Sequence, residues 1–409
     1  MKRVLMVSDV YFPRVNGVST SIATFRHALR ACGIDVRIVV PDYGTGSDGV
    51  DEAGAVRVPG TKVPRDPEDR LMSWRRTRTA ALREAAHCDL VHIQTPFVAH
   101  YAGVQAARRL GRPVLLTYHT FFEEYLHHYA PFLPAGLLRG LARRVSCSQC
   151  NAVDGVVVPS TAMRDRLASY GVRSPLHVLP TGIPVESFGS GDGAAFRRAH
   201  GITTQVAVAL FIGRVAHEKN IGFLIDVAAV VATSVPDFIL VIAGEGPAMA
   251  ELQRSVAQRG LAGVIRFVGY LERQRELHDC YAAADAFVFA SRTETQGLVL
   301  LEAMASGLPV VALAEMGTRD ILSPQSGAIV AADDVTAFAA ELLGLLNAPL
   351  RRQALAASAR RYSRQWADTT MAERLAELYH SLIRERAEER SRGPAIGFHR
   401  RKVRHGDAD

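Results

Sequence analysis

Residues 291–311 read SRTETQGLVLLEAMASGLPVV, and the pattern changes character twice along that stretch. A small polar cluster ends at Gly297, an apolar segment with helical spacing follows, and Gly307-Leu308-Pro309 stops it. Val310-Val311 then restart as a strand, so a loop feeds a helix and the helix feeds a buried strand. Glu294 lies in that loop, and Glu302 falls about two turns inside the helix at ~3.6 residues per turn. The free N–H groups of Gln296, Gly297, Leu298 and Val299 lie between them, at the positive end of the helix dipole. Carboxylates beside an anion site suit a ligand that carries hydroxyls as well as phosphate, as a nucleotide sugar does. A capped helix with one exposed glutamate is the plainer alternative.

Upstream of this stretch the same rhythm repeats. Strands are predicted over 206–212, 238–243, 265–268 and 286–290, with helices over 221–233 and 277–283. The first strand ends in Gly213-Arg214, with Lys219 five residues on. Two cations at a strand exit suit a diphosphate and a charged leaving group, although solvated surface charge is the alternative. Gly244-Glu245-Gly246-Pro247 and Gly269-Tyr270-Leu271 end the next two strands. All these candidates lie on one edge of one sheet, as a single site requires. Downstream, a strand over 327–330 precedes helices over 335–346, 350–362 and 366–385.

The first half has the same alternation. A strand over 3–8, a turn-rich loop over 9–18 and a helix over 19–31 open the chain. The loop lacks a GxGxxG spacing, but Gly17 at a helix start can bring amides against a phosphate. Residues 44–70 read as a polar excursion outside the core. His119 follows the strand over 114–118, at the carboxyl end where ligands of open α/β sheets collect. Over 135–150, Leu137, Leu138, Leu141 and Val145 share one helical face, flanked by Arg139, Arg143 and Arg144. Such a helix can lie in a bilayer interface, or pack as an ordinary surface helix. Residues 186–193, with three glycines, read as the interdomain linker.

Composition narrows the classes. A chain of 409 residues with 48% hydrophobic content can bury two ordinary cores. Residues 1–185 hold 23 Lys/Arg and 15 Asp/Glu, a surplus of +8, and the remainder carries −1. The basic half fits an anionic membrane surface, and no nucleic-acid-binding motif accompanies it. No apolar run reaches the roughly 18 residues of a membrane span, and no signal-peptide plan opens the chain, so a cytoplasmic protein is expected. Five cysteines fit a reducing compartment, and Cys147 and Cys150 form a lone CxxC without partners for a metal.

Taken together, Gly213-Arg214 with Lys219, Gly244-Glu245-Gly246-Pro247, Phe267-Val268-Gly269 and Glu294-x7-Glu302 resemble the family-four retaining glycosyltransferases of the GT-B fold. Phe12-Pro13-x-x-Asn16-Gly17-Val18 and Thr117-Tyr118-His119-Thr120 match as well, and the likeness covers about residues 1–382. The run through Tyr125 and Val158-Pro159-Ser160 resembles the branch that glycosylates diacylglycerol and related lipids. The resemblance implies an α/β fold of two Rossmann-like doubly wound domains facing across a cleft. Residues 1–185 would bind acceptor and 186–365 donor, and the helix over 366–385 would return to the first domain. Beyond the likeness, the charge and Gly/Pro punctuation of 386–409 read as a disordered basic tail.

By the same resemblance, Arg214 and Lys219 hold the donor diphosphate, with Gly213 at the strand exit and Gly17 closing from the other domain. Glu294 contacts sugar hydroxyls, the amides of Gln296 to Val299 the sugar and phosphate, and Glu302 the ribose. The backbone near Tyr270 and Leu271 meets the base, and His119 sits near sugar and acceptor. No cofactor or metal is implied. The expected reaction moves a hexose from UDP-glucose or GDP-mannose to a membrane lipid at the inner membrane face. A soluble or polysaccharide acceptor, or a non-catalytic sugar-nucleotide binder, are the alternatives. Neither the base and sugar nor the oligomeric state is legible.

Overall fold

The computed structural model describes residues 1–44, 54–63, 66–119, 135–273 and 275–392. The expectations for Thr120, Phe121, Phe122, Tyr125, Phe132 to Pro134 and residues 393–409 fall outside that range. So do the side chains of Leu137 and Leu138.

Two sheets organise the chain. The first comprises β1 (Lys2–Val7), β2 (Ile34–Asp42), β3 (Ala55–Val63), β4 (Asp66–Met72), β5 (Leu90–Ile93), β6 (Val114–Thr117), β7 (Gly155–Val158) and β8 (Leu176–Val178), in the order 4-3-2-1-5-6-7-8. The second comprises β9 (Ala207–Ile212), β10 (Phe238–Ala243), β11 (Ile265–Gly269), β12 (Ala286–Phe289), β13 (Val310–Ala312) and β14 (Ala328–Val330), in the order 11-10-9-12-13-14. Every pairing is parallel except β3 with β4. The central strands are mostly apolar, with His92 of β5 an exception, because helices cover both faces. Val4 pairs with Val36 on one side and Leu90 on the other, and Ala209 with Leu240 and Ala286. The strand order therefore reverses at β1/β5 and at β9/β12, where crevices open at the carboxyl ends.

The final helix, Asp368–Ser391, completes the first domain although it follows the second. Met371, Ala372, Leu375, Tyr379 and Leu382 are buried in one cluster with Val4, Ile22 and Leu29. Its Tyr379 hydroxyl reaches His92 Nδ1 at 2.7 Å inside that core, and His92 Nε2 meets Thr117 Oγ1 at 2.7 Å. The sequence reading ended this helix at residue 385. It continues to Ser391, nearly two turns further, and Arg386 at the start of that extension pairs with Asp154 of the first domain at 2.5 Å.

Two other expectations are corrected. Part of the polar stretch 44–70 is a pair of strands, β3 and β4, that extends the first sheet. Its polar residues brace the loop before Gly17: Arg57 donates to the Phe12 carbonyl at 2.6 Å, and Asp69 pairs with Arg14 at 3.3 Å. The glycine-rich segment 186–193 is no free linker either. A Cβ on Gly191 would lie 2.1 Å from the His278 carbonyl and one on Gly193 2.3 Å from that of Ala282, so these glycines permit tight packing on helix Glu276–Ala283. The chain crosses between domains at Thr181–Ile183, beside the return crossing at Trp366–Asp368. There Ile183 N–H donates to Trp366 at 3.0 Å and Asp368 N–H to Ile183 at 2.9 Å.

Candidate active site

The loops after β9, β10, β11 and β12 form one edge of the second domain. After β9, Gly213, Arg214 and the short turn His217–Lys219 lead to helix Ile221–Ser234. After β12, residues 291–297 lead to helix Leu298–Ala305. The two loops are laced across the strand-order reversal. Lys219 Nζ bonds the Glu294 carboxylate, Asn220 Nδ2 donates to the Ala290 carbonyl at 3.3 Å, and Ser291 Oγ to the Glu218 carbonyl at 3.2 Å. Arg214 stands further out, 58% exposed and 3.8 Å from Glu218. The β10 exit is fitted beneath: Val215 N–H donates to the Glu245 carbonyl at 2.8 Å, and Gly244 N–H to that of Gly269 at 2.7 Å.

Gly297 begins helix Leu298–Ala305 at φ 99°, a left-handed setting that glycine adopts without strain. The helix starts at Leu298, so Glu302 lies about one turn inside it rather than two. Its carboxylate is buried and held on both oxygens. Arg273 Nη2 donates to one at 3.1 Å and the Tyr281 hydroxyl to the other at 3.0 Å. Burial, then the charge of Glu302, push the Tyr281 phenol far up, so it remains a donor. Tyr270 is 60% exposed at the same edge, with Leu271 packed on the core beneath.

The first domain contributes a different set. His119 follows β6, and its Nε2 lies 2.9 Å from Gln94 Oε1, at the exit of β5. An amide oxygen only accepts, so Nε2 carries the proton in this arrangement. Part of His119 is open, but its ring lies deep enough that burial pushes its pKa down to about 4. Gly17 opens helix Gly17–Leu29, where Asn16 and Ser19 form a capping box and a Cβ on Gly17 would meet nothing within 4 Å. Asp9 caps helix Val98–Leu110 by accepting from the Ala99 N–H at 3.1 Å, and burial lifts its pKa to about 6.

Three contacts join the domains here. The Thr295 hydroxyl donates to the His119 carbonyl at 3.2 Å, Gln296 holds the backbone of Thr181, and Asp320 accepts from the Thr161 N–H at 2.7 Å. The cleft thus brings together Lys219, Glu294 and the His119 backbone, and reaches Gly17 through the Ser21–Thr181 hydroxyl contact at 2.7 Å. Gln94, Arg273 and Tyr281 were missed by sequence reading, since their partners lie 21 to 29 residues away. The strand-exit position of Gln94 was the available signal.

Helix Ala135–Cys150 forms where its spacing predicts. Arg139, Arg143 and Arg144 are exposed, and so are Leu141 at 53% and Val145 at 41%. A groove of about 920 Å³ runs beside it, lined by Trp74, Tyr101, Arg108, Arg109, Arg144 and Val145 among others. Gln149, also in its wall, donates to the Pro96 carbonyl at 2.6 Å, two residues beyond Gln94. Among the described residues no helix is long and apolar enough to cross a membrane, and no cluster of ligating side chains could hold a metal.

Family models match both halves: Glycosyltransferase Family 4 over residues 15–187 and Glycosyl transferases group 1 over 192–362. The alpha-monoglucosyldiacylglycerol synthase of Streptococcus pneumoniae is 33% identical, over 76% of this chain and 70% of its own. A GDP-mannose-dependent alpha-mannosyltransferase of Mycobacterium tuberculosis is 29% identical over 89% and 93%. The fold is shared with sucrose-phosphate synthase from Thermosynechococcus elongatus, at TM-score 0.77 and 21% identity over 94% of this chain and 100% of that one. Anabaena HepE, solved with UDP, gives TM-score 0.75 at 17% identity over 93% and 100%. Two doubly wound domains, the laced loops with their Glu294–Lys219 pair, and these matches agree: the chain belongs to the group 1, family-four glycosyltransferases and is a hexosyltransferase of the GT-B fold.

Proposed function

We propose that this enzyme transfers a hexose, with retention, from UDP-glucose or GDP-mannose to a lipid hydroxyl at the cytoplasmic face of an anionic membrane. The observation that carries the acceptor reading is the exposed pair Leu141 and Val145 among arginines, beside a groove whose wall reaches the β5 exit loop. Apolar side chains enter the interface while arginines meet lipid phosphates. Relatives named for diacylglycerol glucosylation support the same class.

In this reading Arg214 and Lys219 hold the diphosphate, and Glu294 turns from Lys219 to the sugar hydroxyls. Glu302 takes the ribose after Arg273 yields, and the base lies near Tyr270. The amides at Gly297 to Val299 face sugar and phosphate, with Gly17 closing from the first domain. Among the described residues no second carboxylate is assigned as a nucleophile, and we assign a front-face transfer. The acceptor oxygen bonds to the anomeric carbon as its bond to the phosphate oxygen breaks, and that phosphate oxygen takes the acceptor proton. The two cations stabilise the charge that develops, which assigns no metal to the step. His119, neutral at pH 7, donates or accepts hydrogen bonds near the sugar without adding charge.

Thermal shifts with UDP-glucose, UDP-galactose, GDP-mannose and the free nucleotides identify the donor. Turnover is then measured on diacylglycerol in phosphatidylglycerol vesicles, with and without EDTA. The expected result is one stabilising donor, transfer unaffected by EDTA, and vesicle binding weakened by salt and by Leu141→Glu. Donor stabilisation with no lipid transfer moves the acceptor to a soluble molecule, and a loss with EDTA restored by a divalent cation overturns the metal-free step.

A further inference from the structure

Three consecutive residues of the donor loop hold three different parts of the molecule. Glu294 bonds Lys219, the Thr295 hydroxyl bonds the His119 carbonyl, and the Gln296 side chain bonds the Thr181 backbone. It is buried, and its amide grips one peptide segment at two points. Gln296 Oε1 accepts from the Thr181 N–H at 2.9 Å, and Nε2 donates to the Thr181 carbonyl at 2.7 Å. Thr181 is where the chain leaves the first domain. Its hydroxyl lies 2.7 Å from Ser21 Oγ, on the helix that Gly17 opens. One residue on, a Cβ at Gly182 would lie 2.5 Å from the Asp368 Cα, so the outgoing and returning crossings are pressed together.

We propose that Gln296 is a positioning residue that couples donor occupancy of the loop 294–299 to the angle between the two domains. The proposal rests on the donor reading above. A side-chain amide offers a donor and an acceptor in one plane, so it fixes both the distance and the direction of the crossing peptide. Any movement of the loop toward a bound sugar or phosphate must therefore move Thr181, and with it Ser21 and the helix that begins at Gly17. The neighbouring Thr295 contact carries the same movement to the His119 backbone. Asparagine is one methylene short for this span, and an ionised glutamate lacks the donor and faces the Thr181 carbonyl. The side chain itself makes no donor contact in this scheme.

The test compares Gln296→Leu and Gln296→Glu with the wild-type full chain, using UDP-glucose and GDP-mannose as probes. Small-angle scattering reads compaction on donor binding, titration reads donor Kd, and initial rates read kcat. The coupling predicts that Gln296→Leu binds donor within about 3-fold of wild type but loses compaction and about 10-fold or more in kcat. A protonated glutamate restores both hydrogen bonds, so the Gln296→Glu rate relative to wild type should climb as pH falls. This arm stands even if the leucine variant does not fold. Unchanged compaction and kcat overturn the proposal, as does a rise in donor Kd that accounts for the whole loss, or a flat pH ratio. Failure of wild type to bind either donor fails the donor reading instead, and so is distinguished.

Discussion

At the carboxyl edge of the second sheet the functional side chains are charged and held in pairs: Lys219 with Glu294, Arg273 with Glu302, Arg214 with Glu218. At the same edge of the first sheet the described groups around His119 are uncharged, while Asp9 caps helix Val98–Leu110. His119 leans on Gln94, and behind it His92 is set between Tyr379 and Thr117. The two sheets share a topology, so the difference lies in what each edge must receive. A diphosphate brings charge and needs partners that exchange ion pairs for it. A hydroxyl acceptor needs hydrogen bonds that do not distort the developing charge. Removing Lys219 strikes at this contrast hardest. Lys219→Ala should lower turnover on the order of 10²-fold or more. Arg214→Ala should cost less than Lys219→Ala, because Arg214 is far more exposed and gives up more solvation on binding. Initial rates at saturating donor decide it. A larger loss at Arg214 would move the leaving phosphate outward, away from Glu294.

The second domain's edge also depends on backbone fit in a way the first does not. A Cβ on Gly244 would lie 2.0 Å from the Gly213 carbonyl oxygen, at φ 127°. Gly244→Ala therefore combines a clash with backbone strain and should destabilise by about 3 kcal/mol. Chemical denaturation measures it, and a loss below about 1 kcal/mol would mean that the β9 and β10 exits are not locked together.

The neutral edge carries its own signature in pH. Burial pushes His92 down to about 3 and His100 and His119 to about 4. Their ordinary value near 6.5 belongs to the unfolded chain, so between 6.5 and 4 the unfolded state binds more protons. That stability is present above 6.5 and is lost as pH falls. Asp9, raised to about 6, acts in the opposite sense: its contribution is present at low pH and is lost as pH rises from about 4 through 6. Three groups against one leave a net fall, and the thermal midpoint should drop steadily from pH 6.5 to 4.5. A flat midpoint would show that these rings are hydrated. His119 titrates below the working range, so kcat should show no inflexion near 6.5 that His119→Asn abolishes.

The charged edge was also the more legible in sequence. Gly213-Arg214, Lys219 and Glu294 follow strand exits and Glu302 lies in the helix that comes next, and local spacing marks each one. The neutral edge was read only at His119, because its other members earn their places through distant partners. His92 looks like any strand residue until Tyr379, 287 residues later, is seen against it. Strands β3 and β4 were passed over because Pro59, Gly60 and their charged neighbours carry no apolar alternation, and the pairing with β2 overrides that propensity. The direction of Gln296 was likewise invisible, since its partner lies 115 residues earlier.

The smallest effect tests the outer seam where the two edges meet. Asp320 accepts from the Thr161 N–H at 2.7 Å, at the first turn of helix Thr161–Ser169, so a residue of the second domain caps a helix of the first. The amide it satisfies is an orphan donor, and a carboxylate there is favoured by the helix dipole. The contact is exposed, and Ser160 separately caps the same turn by accepting from the Met163 N–H at 3.4 Å, so water can replace Asp320 at little cost. Asp320→Ala should remove no more than about 1 kcal/mol, less at high salt. Donor-induced compaction should survive in that variant if the inner contacts at Thr181 and His119 set the domain angle. Compaction lost on removing this seam alone would place the control of closure at the rim instead.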